Sequence, residues 1–331
     1  VSPSKGIMVP RNQGEEFRKA LVNMGLFDQS RKIQSDQDHV YLPINPLDET
    51  SLESLLSVGD FQEIVFEFPE KEVLPSGEVL LGRPLRFEMV GDIAIVDPEE
   101  AKEVASIVMK VRKNIKTVIA PLGPVEGEFR TRRFEHVAGV EKTSTIHKEH
   151  GLLYKVDLEG AYFTPRLGTE RLRVARLIQP SQVVFDMFAG VGPFALLMAK
   201  RGAKVIAVDK NPIAARYMRE NAALNKLDSV EILEGDAFEV AKLYEGKADH
   251  VIMNLPHSAH IFLEAAIKAA KKGGIVHYYS ISPEEDLYGR DTAFIEEACK
   301  KVGAKFRVIY KDVVRSYAPR QYNVVIDFEL I

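Results

Sequence analysis

From residue 180 onward the chain alternates short apolar strands with amphipathic helices without a break in the order. QVVFDM, KVIAVD, VEILEGD, DHVIMNL and GGIVHYYSI read as strands, with the helices PFALLMAKRG, PIAARYMRENAALNK, AFEVAKLY and AHIFLEAAIKAAKKG between them. A helix between two strands is a crossover, so the run implies a parallel sheet covered on both faces. After one more helix, TAFIEEACKKVG, come two adjacent strands, AKFRVIYKDVVRSY and YNVVIDFEL, joined only around Ala318–Arg320. So short a junction makes that pair antiparallel. The expected fold is therefore α/β, a Rossmann-like parallel sheet ending in an antiparallel hairpin, over 178–331.

Upstream the pattern is mixed. Residues 1–70 read as a small α/β domain: the helix GEEFRKALVNMGLF stops at Gly25, followed by the strand HVYLPI, the helix ETSLESLLS and the strand FQEIVFEF. Residues 71–85, rich in Pro, Gly and charge, read as a linker. Residues 86–177 read as a middle α+β domain with strands RFEMVGDIAIVD, TVIA and AYFTP, and a hairpin STIHKEHGLLYKVDL turning at Glu149–Gly151. A helix, PEEAKEVASIVMKVRKNI, lies between the first two strands.

Composition narrows the class of protein. No apolar run is long enough to span a membrane, and the amino end carries no secretory signal pattern. A single cysteine, Cys299, excludes a disulfide framework and a cysteine-rich metal site, and fits a cytoplasmic protein. The net charge of −4 excludes a uniformly basic nucleic-acid binder. Positive charge is nonetheless concentrated in KVRKNIK (110–116), FRTRR (129–133), RLRVAR (171–176) and VRSYAPRQY (314–322). Each run taken singly fits a solvated face; the four together favour a groove lined for phosphates.

The strand QVVFDM runs into the turn FAGVGPF. Gly190, Gly192 and Ala195 satisfy a G-x-G-x-x-A pattern, with Asp209 at the end of the next strand, so a nicotinamide dinucleotide is one reading. A P-loop is excluded, because no Lys-Ser/Thr follows the glycines. Asp186, before the glycines, would repel a pyrophosphate but welcome an amino group. With Asp209 and Asp236 it forms three carboxylates at the ends of successive strands. They describe a ligand with an amine, a ribose diol and an adenine but no phosphate, which is S-adenosylmethionine (AdoMet). Each acid alone also fits a helix cap. The fourth strand ends in Asn254-Leu255-Pro256-His257, a variant of the Asn-Pro-Pro-aromatic loop of methyltransferases acting on planar nitrogen.

EGEFRTRRFEHVAG, TSTIHKEHG, YFTPRLGTERLR, FDMFAGVGPF, MNLPHSAHIFLEAA, GGIVHYYSI and SYAPRQYNVVIDF, spread over 126–331, resemble in order the blocks of the archaeal and eukaryotic tRNA guanosine-37 N1-methyltransferase family. The resemblance implies an AdoMet-dependent methyltransferase domain and tRNA as partner, met at its anticodon loop and, through the amino-terminal domain, at its outer corner. It implies a monomer without a metal. Glu170 matches the family's general base, Arg130 the arginine on guanine O6, and Asn254 a further catalytic residue. Tyr162, Arg166, Pro256 and His257 match residues that position the base; Asp186, Phe188, Gly190, Gly192, Asp209, Asp236 and Asn254 match the cofactor site. The resemblance extends to archaeal members that also methylate C7 of the wyosine intermediate 4-demethylwyosine.

Competing readings stand beside these. Arg130 also fits a phosphate contact, and Glu170 a pair with Arg171 or Arg173 on its own helix. The wyosine-pathway aminocarboxypropyl transferase, an NAD-dependent oxidoreductase and a tRNA-binding module are the alternatives at the level of function. His147, His257, His260 and His277 show no metal-ligand spacing.

Overall fold

The computed structural model describes residues 3–71, 77–125 and 127–331. Its contacts divide the chain into Val1–Ser76 and Gly77–Ile331.

The first unit contains β1 (Ser4–Pro10), α1 (Gly14–Asn23), β2 (Gln34–Ser35), β3 (His39–Pro43), α2 (Glu49–Leu56) and β4 (Gln62–Phe66). The sheet has the order β2-β3-β1-β4 and is antiparallel throughout. Its inner strand β1, SKGIMVP, is not foreseen in the sequence, because Lys5, Gly6 and Pro10 obscure the alternation. Ile7 and Val9 are nevertheless fully buried against Phe17 and Leu21 of α1. Gly6 sits there because a Cβ would lie 2.4 Å from the Phe68 ring.

The second unit begins with α3 (Gly77–Leu81), inside the segment read as a linker. Gly77 is pressed against Leu85, whose Cδ2 would stand 2.3 Å from an added Cβ, so this part of the segment is packed. Residues 72–76 lie outside the described residues. Next come β5 (Glu88–Val90), β6 (Ile93–Ile95), α4 (Ala101–Val111), β7 (Thr117–Pro121) and β8 (Phe134–Gly139), in a sheet ordered β5-β6-β7-β8. α4 connects the parallel pair β6 and β7 and buries Val104, Ala105 and Val108. β8, with its half-exposed FEHVAG, carries no clear alternation and is not foreseen. β9 (Ser144–Glu149) and β10 (Leu152–Asp157) form a hairpin through His150 (φ 49°) and Gly151 (φ 72°). Two left-handed residues in succession suit a tight two-residue turn. AYFTP, expected as a strand, is none. Thr164 Oγ1 accepts from the Arg166 amide at 3.3 Å, starting a 3-10 turn, Pro165–Leu167, that leads into α5 (Gly168–Leu177).

The remaining elements are β11 (Val183–Asp186), α6 (Pro193–Lys200), β12 (Lys204–Asp209), α7 (Pro212–Leu224), β13 (Val230–Glu234), α8 (Ala237–Ala241), β14 (Ala248–Met253), α9 (Leu263–Ala269), β15 (Ala270–Pro283), α10 (Gly289–Val302), β16 (Phe306–Ala318) and β17 (Gln321–Leu330). The sheet has the order β13-β12-β11-β14-β15-β17-β16, five parallel strands closed by an antiparallel pair, as the alternation predicts. Successive strand residues feed opposite cores: Val184 joins Ala195 and Met218, whereas Phe185 joins Val208 and Met253. α9 stops at Ala269, four residues before the expected Gly273, because Ala270 already pairs with Ala248 of β14. Asn221 of α7 and Asn225, which caps its carboxyl end, tie the β9–β10 hairpin to this sheet and its helices. The Lys155 and Leu153 amides donate to Asn221 Oδ1 (2.7 Å) and Asn225 Oδ1 (2.8 Å), and both side-chain amides donate back to the same strand.

Candidate functional site

A cavity of about 460 Å³ opens at the carboxyl ends of the parallel strands. This is the edge where open α/β sheets bind ligands, outside the point where the strand order reverses. β11 and its turn supply Met187, Phe188 and Gly190, β12 ends in Asp209, and the loop after β13 adds Gly235 and Asp236. Asn254, Pro256 and His257 follow β14, while Arg130 lies between β7 and β8 and Tyr162 between β10 and α5.

The end of the cavity over β11–β13 is built largely from backbone turns and sheet hydrogen bonds. The Met187 amide donates to Ile252 O (3.1 Å) and the Ala189 amide to Val208 O (2.8 Å), holding the turn between β14 and β12. Gly190 (φ 58°) and Gly192 (φ 92°) are left-handed, a conformation that L side chains rarely adopt. At Gly192 an added Cβ would also come within 2.9 Å of Met218 Cγ. Gly192 therefore serves the turn's packing, and it is not among the residues lining the cavity. Pro193 takes the first position of α6, where a missing N–H costs nothing.

Asp209 Oδ2 accepts from the Gly190 amide (2.7 Å) and its Oδ1 from the Asn211 amide (2.8 Å). Burial raises its pKa against those two hydrogen bonds. The cap of α7 is Asn211, so Asp209 remains a cavity residue. Asp236 does cap α8, through Phe238 N at 2.9 Å, and faces the cavity as well. Asp186 is different. It lies behind the wall, 1% exposed, and neither carboxylate oxygen has a hydrogen-bond partner. Burial pushes its pKa up to about 7, opposed by the Phe188 and Ala195 amides, which act on it without reaching hydrogen-bond geometry. An orphaned carboxylate beneath a glycine turn fits a cationic ligand group. Phe188 and Phe262 meet edge to face at 5.0 Å and give this half an aromatic wall.

At the other end Arg130 is one of few non-glycine residues with positive φ (53°), and its guanidinium lies 5.6 Å from the centre of the Tyr162 ring. Backbone conformations of this kind cluster at functional sites. The Asn-Leu-Pro-His loop is locked from outside by the Ile281 amide, which donates to Pro256 O at 3.1 Å. His257 Nε2 and Tyr317 Oη are 3.0 Å apart, and burial together with Arg130 lowers the His257 pKa.

Glu170 and Arg166 are not on the cavity wall. Arg166 Nε pairs with Glu88 Oε2 at 2.7 Å. Glu170, 8% exposed, is held by Arg173 at 2.7 and 2.8 Å and accepts from Tyr279 Oη at 2.7 Å. Arg173 also binds Asp327 (2.7 Å), which contacts His277 Nδ1 (2.8 Å), and His277 Nε2 meets His250 Nδ1 at 3.0 Å. The run RLRVAR is therefore largely interior and not a phosphate surface: Arg171, 1% exposed, makes a two-pronged pair with Glu149. Its charge is needed because an unpaired buried carboxylate is costly. His277 is structural. Among the described residues no group of three or more metal-ligating side chains converges.

Sequence reasoning missed Lys210, Asn211, Phe262, Arg315, Tyr317 and Asn323 in the wall. The last three come from the β16–β17 hairpin, where a strand pattern says nothing about which face meets a ligand.

A parallel sheet closed by an antiparallel hairpin, with a glycine turn and carboxylates at the ends of successive strands, has the architecture of a Rossmann-like AdoMet-dependent methyltransferase. The TRM5/TYW2 methyltransferase domain matches residues 145–309, the tRNA methyltransferase 5 N-terminal domain residues 6–51, and the TYW2 N-terminal domain residues 71–143. The tRNA (guanine(37)-N(1))-methyltransferase Trm5b of Pyrococcus abyssi is 41% identical, over 98% of each chain. The enzyme of that name from Methanocaldococcus jannaschii is 35% identical over the same shares. The crystal structure of P. abyssi Trm5b aligns with a TM-score of 0.69 over 99% of both chains, at 39% identity. That of aTrm5 with tRNALeu aligns with a TM-score of 0.68 and 34% identity, over 98% of this chain and 99% of the other. The chain belongs to the TRM5/TYW2 methyltransferase family.

Proposed function

We infer that this chain transfers a methyl group from AdoMet to N1 of guanosine-37 in tRNA. The observation that carries the reading is one cavity whose two ends differ in chemistry. Carboxylates and a glycine turn stand over β11–β13; Arg130, Asn254 and the Asn-Leu-Pro-His loop stand over β14. When bound, AdoMet supplies an electrophilic methyl group. Asp186 would hold its amino group, Asp209 the ribose and Asp236 the adenine side.

The protein's own task is to make a poor nucleophile react. Guanine N1 carries a proton, and negative charge builds on O6 as that proton leaves. Arg130 donates to O6 and stabilises that charge. Glu170 takes the N1 proton as general base. To do so it exchanges Arg173 for the base, and Arg173 keeps Asp327 as its counter-ion when Glu170 turns away. Asn254 and Pro256 hold the target in plane beside Tyr162, and Arg166 gives up Glu88 to position the nucleotide. Proximity and orientation supply much of the remaining acceleration. The target leaves the anticodon-loop stack to enter. The amino-terminal domain touches the outer corner of the tRNA, and the enzyme acts as a monomer.

The experiment is transfer of labelled methyl to unmodified transcripts carrying G or A at position 37, followed by nucleoside analysis. 1-Methylguanosine from G37 alone is expected. The tricyclic 4-demethylwyosine substrate is then offered, because His257 makes the loop differ from Asn-Pro-Pro-aromatic; 7-methylation would add that activity, and an aminocarboxypropyl product would replace the reading. Removing Val1–Ser76 should weaken tRNA binding more than AdoMet binding, and equal tRNA affinity would end the outer-corner role.

A further inference from the structure

Tyr279 carries a hydroxyl that its surroundings do not call for. The ring is fully buried in an apolar cluster on one face of the large sheet, with Ile252 and Val325, 5.9 Å from the Phe194 ring. A phenylalanine would fill the same space. The Oη instead reaches out of this cluster and donates to Glu170 Oε1 at 2.7 Å. Burial, with the Glu170 and Asp327 carboxylates nearby, holds the phenol pKa well above its ordinary value, so Tyr279 keeps its proton. Buried phenols usually find a partner, and here the partner is the carboxylate assigned as the base.

Glu170 is held by two groups of unlike freedom. Arg173 grips both of its oxygens, Nη2 on Oε1 (2.7 Å) and Nε on Oε2 (2.8 Å). It has a second counter-ion in Asp327 (2.7 Å), which His277 of β15 fixes from behind (2.8 Å). Its guanidinium also lies 4.3 Å from the centre of the Tyr310 ring on β16, whose hydroxyl donates to Asp312. Arg173 can therefore release Glu170 and stay paired. Tyr279 has no such freedom: it sits on β15, an inner strand between β14 and β17, in register with Val325 and enclosed by the cluster. An ionised carboxylate offers about four lone-pair sites on two oxygens. Oε1 can thus keep Tyr279 while Oε2, freed from Arg173 Nε, turns to a new donor. Leu167, three residues before Glu170, already lines the cavity.

We propose that Tyr279 is the positioning residue of the general base: its hydroxyl keeps Glu170 Oε1 through the turnover, so that Oε2 is the oxygen presented to guanine N1. The N1–H bond breaks as an Oε2–H bond forms, and Tyr279 keeps its own proton throughout. This rests on Glu170 being the base. A donor on the charged form of a carboxylate favours that form, so the same hydroxyl also sets how far the pH can fall before the base is protonated.

The test is single-turnover methyl transfer to a G37 transcript, followed across the acid limb of the pH profile at AdoMet concentrations that saturate throughout. Tyr279→Phe removes one oxygen and leaves Arg173 on Glu170, so the fold is retained. It should slow transfer by ~10–100-fold, the size expected for losing a hydrogen bond to a charged group, with AdoMet affinity unchanged. The acid limb should move up by about one pH unit. In a Glu170→Gln background Tyr279→Phe should change the rate by less than about twofold, because the two residues act as one unit. Val325→Ala loosens the packing beside the same ring but keeps the hydroxyl, and should leave the acid limb in place. An acid limb unmoved in Tyr279→Phe would overturn the proposal, as would an equal slowing with and without Glu170. A limb moved as far by Val325→Ala would make the effect one of packing. Transfer slowed less than tenfold by Glu170→Gln alone is a different result, and would bring down the general base on which Tyr279 acts.

Discussion

The two halves of the large sheet build their ends of the cavity by different means. Over β11–β13 the contacts are local: Asp209 binds amides at positions 190 and 211, Asp236 caps its own helix, and two glycines set the turn. Over β14–β17 the contacts join distant segments: Glu170 with Tyr279, Arg173 with Asp327, His257 with Tyr317. A site made by local turns is preorganised by its own backbone, whereas one made by distant side chains can rearrange by exchanging partners. The first suits a ligand common to every turnover; the second suits a base that must be admitted and released.

The largest effect expected from this contrast is at Glu170. Glu170→Gln should lower single-turnover methyl transfer by ~10²–10⁴-fold, the usual contribution of a positioned base. AdoMet affinity, measured by calorimetry, should stay within about threefold because no AdoMet-end contact involves this residue. A rate loss under tenfold would leave Glu170 as a partner of Arg173 and nothing more. Loss of AdoMet binding would join the two halves and break the comparison.

The next effect is smaller and tests the exception to the rule of local construction. Asn221 on α7 reaches three backbone groups: the Lys155 amide, Lys155 O and, at 3.1 Å, Val191 O in the glycine turn. It thus ties the glycine turn to the β9–β10 hairpin. Asn221→Ala strands those groups in a buried site, which should cost about 1–3 kcal/mol of stability. Urea unfolding with AdoMet titrations would read both consequences. A change below about 0.5 kcal/mol would assign the hairpin's hold to apolar packing, chiefly that of Tyr154 and Val156.

Legibility in the sequence follows the same division. The parallel run and its antiparallel end could be read because each strand and helix declares its own period. The placing of Gly190, Asp209 and Asp236 in one cavity could be read because they lie at the ends of three successive strands of two consecutive βαβ units. β1 could not: its Gly6 is set by the Phe68 ring, a contact 62 positions away that leaves no periodic trace. Nor could Arg171 be told from surface charge, since its partner Glu149 lies on another element; for Arg173 the sequence offers Glu170 on the same helix but not Asp327 of β17. Asn323 reads as one polar residue in a strand, and only the closed sheet turns it toward the cavity.

The smallest effect concerns the one acid of the AdoMet end that local turns do not satisfy. Asp186 titrates near 7 in the folded chain against an ordinary value of 3.8, raised first by burial and further by Asp209. Between those values the folded state binds more protons than the unfolded one, so this group's contribution to stability is present below pH 3.8 and is lost as pH rises through 7. A cationic amino group beside Asp186 favours its charged form, so binding below pH 7 must release a proton. AdoMet affinity should therefore fall as pH drops below 7, approaching ~10-fold per unit. Calorimetry in two buffers of different ionisation enthalpy would count the released proton. Asp186→Asn should give a flat profile over the same range and weaker binding at pH 8. A flat wild-type profile would mean that the amino group is held elsewhere. The AdoMet end would then be built wholly by Asp209, Asp236 and the glycine turn, and the contrast between the two halves would be sharper still.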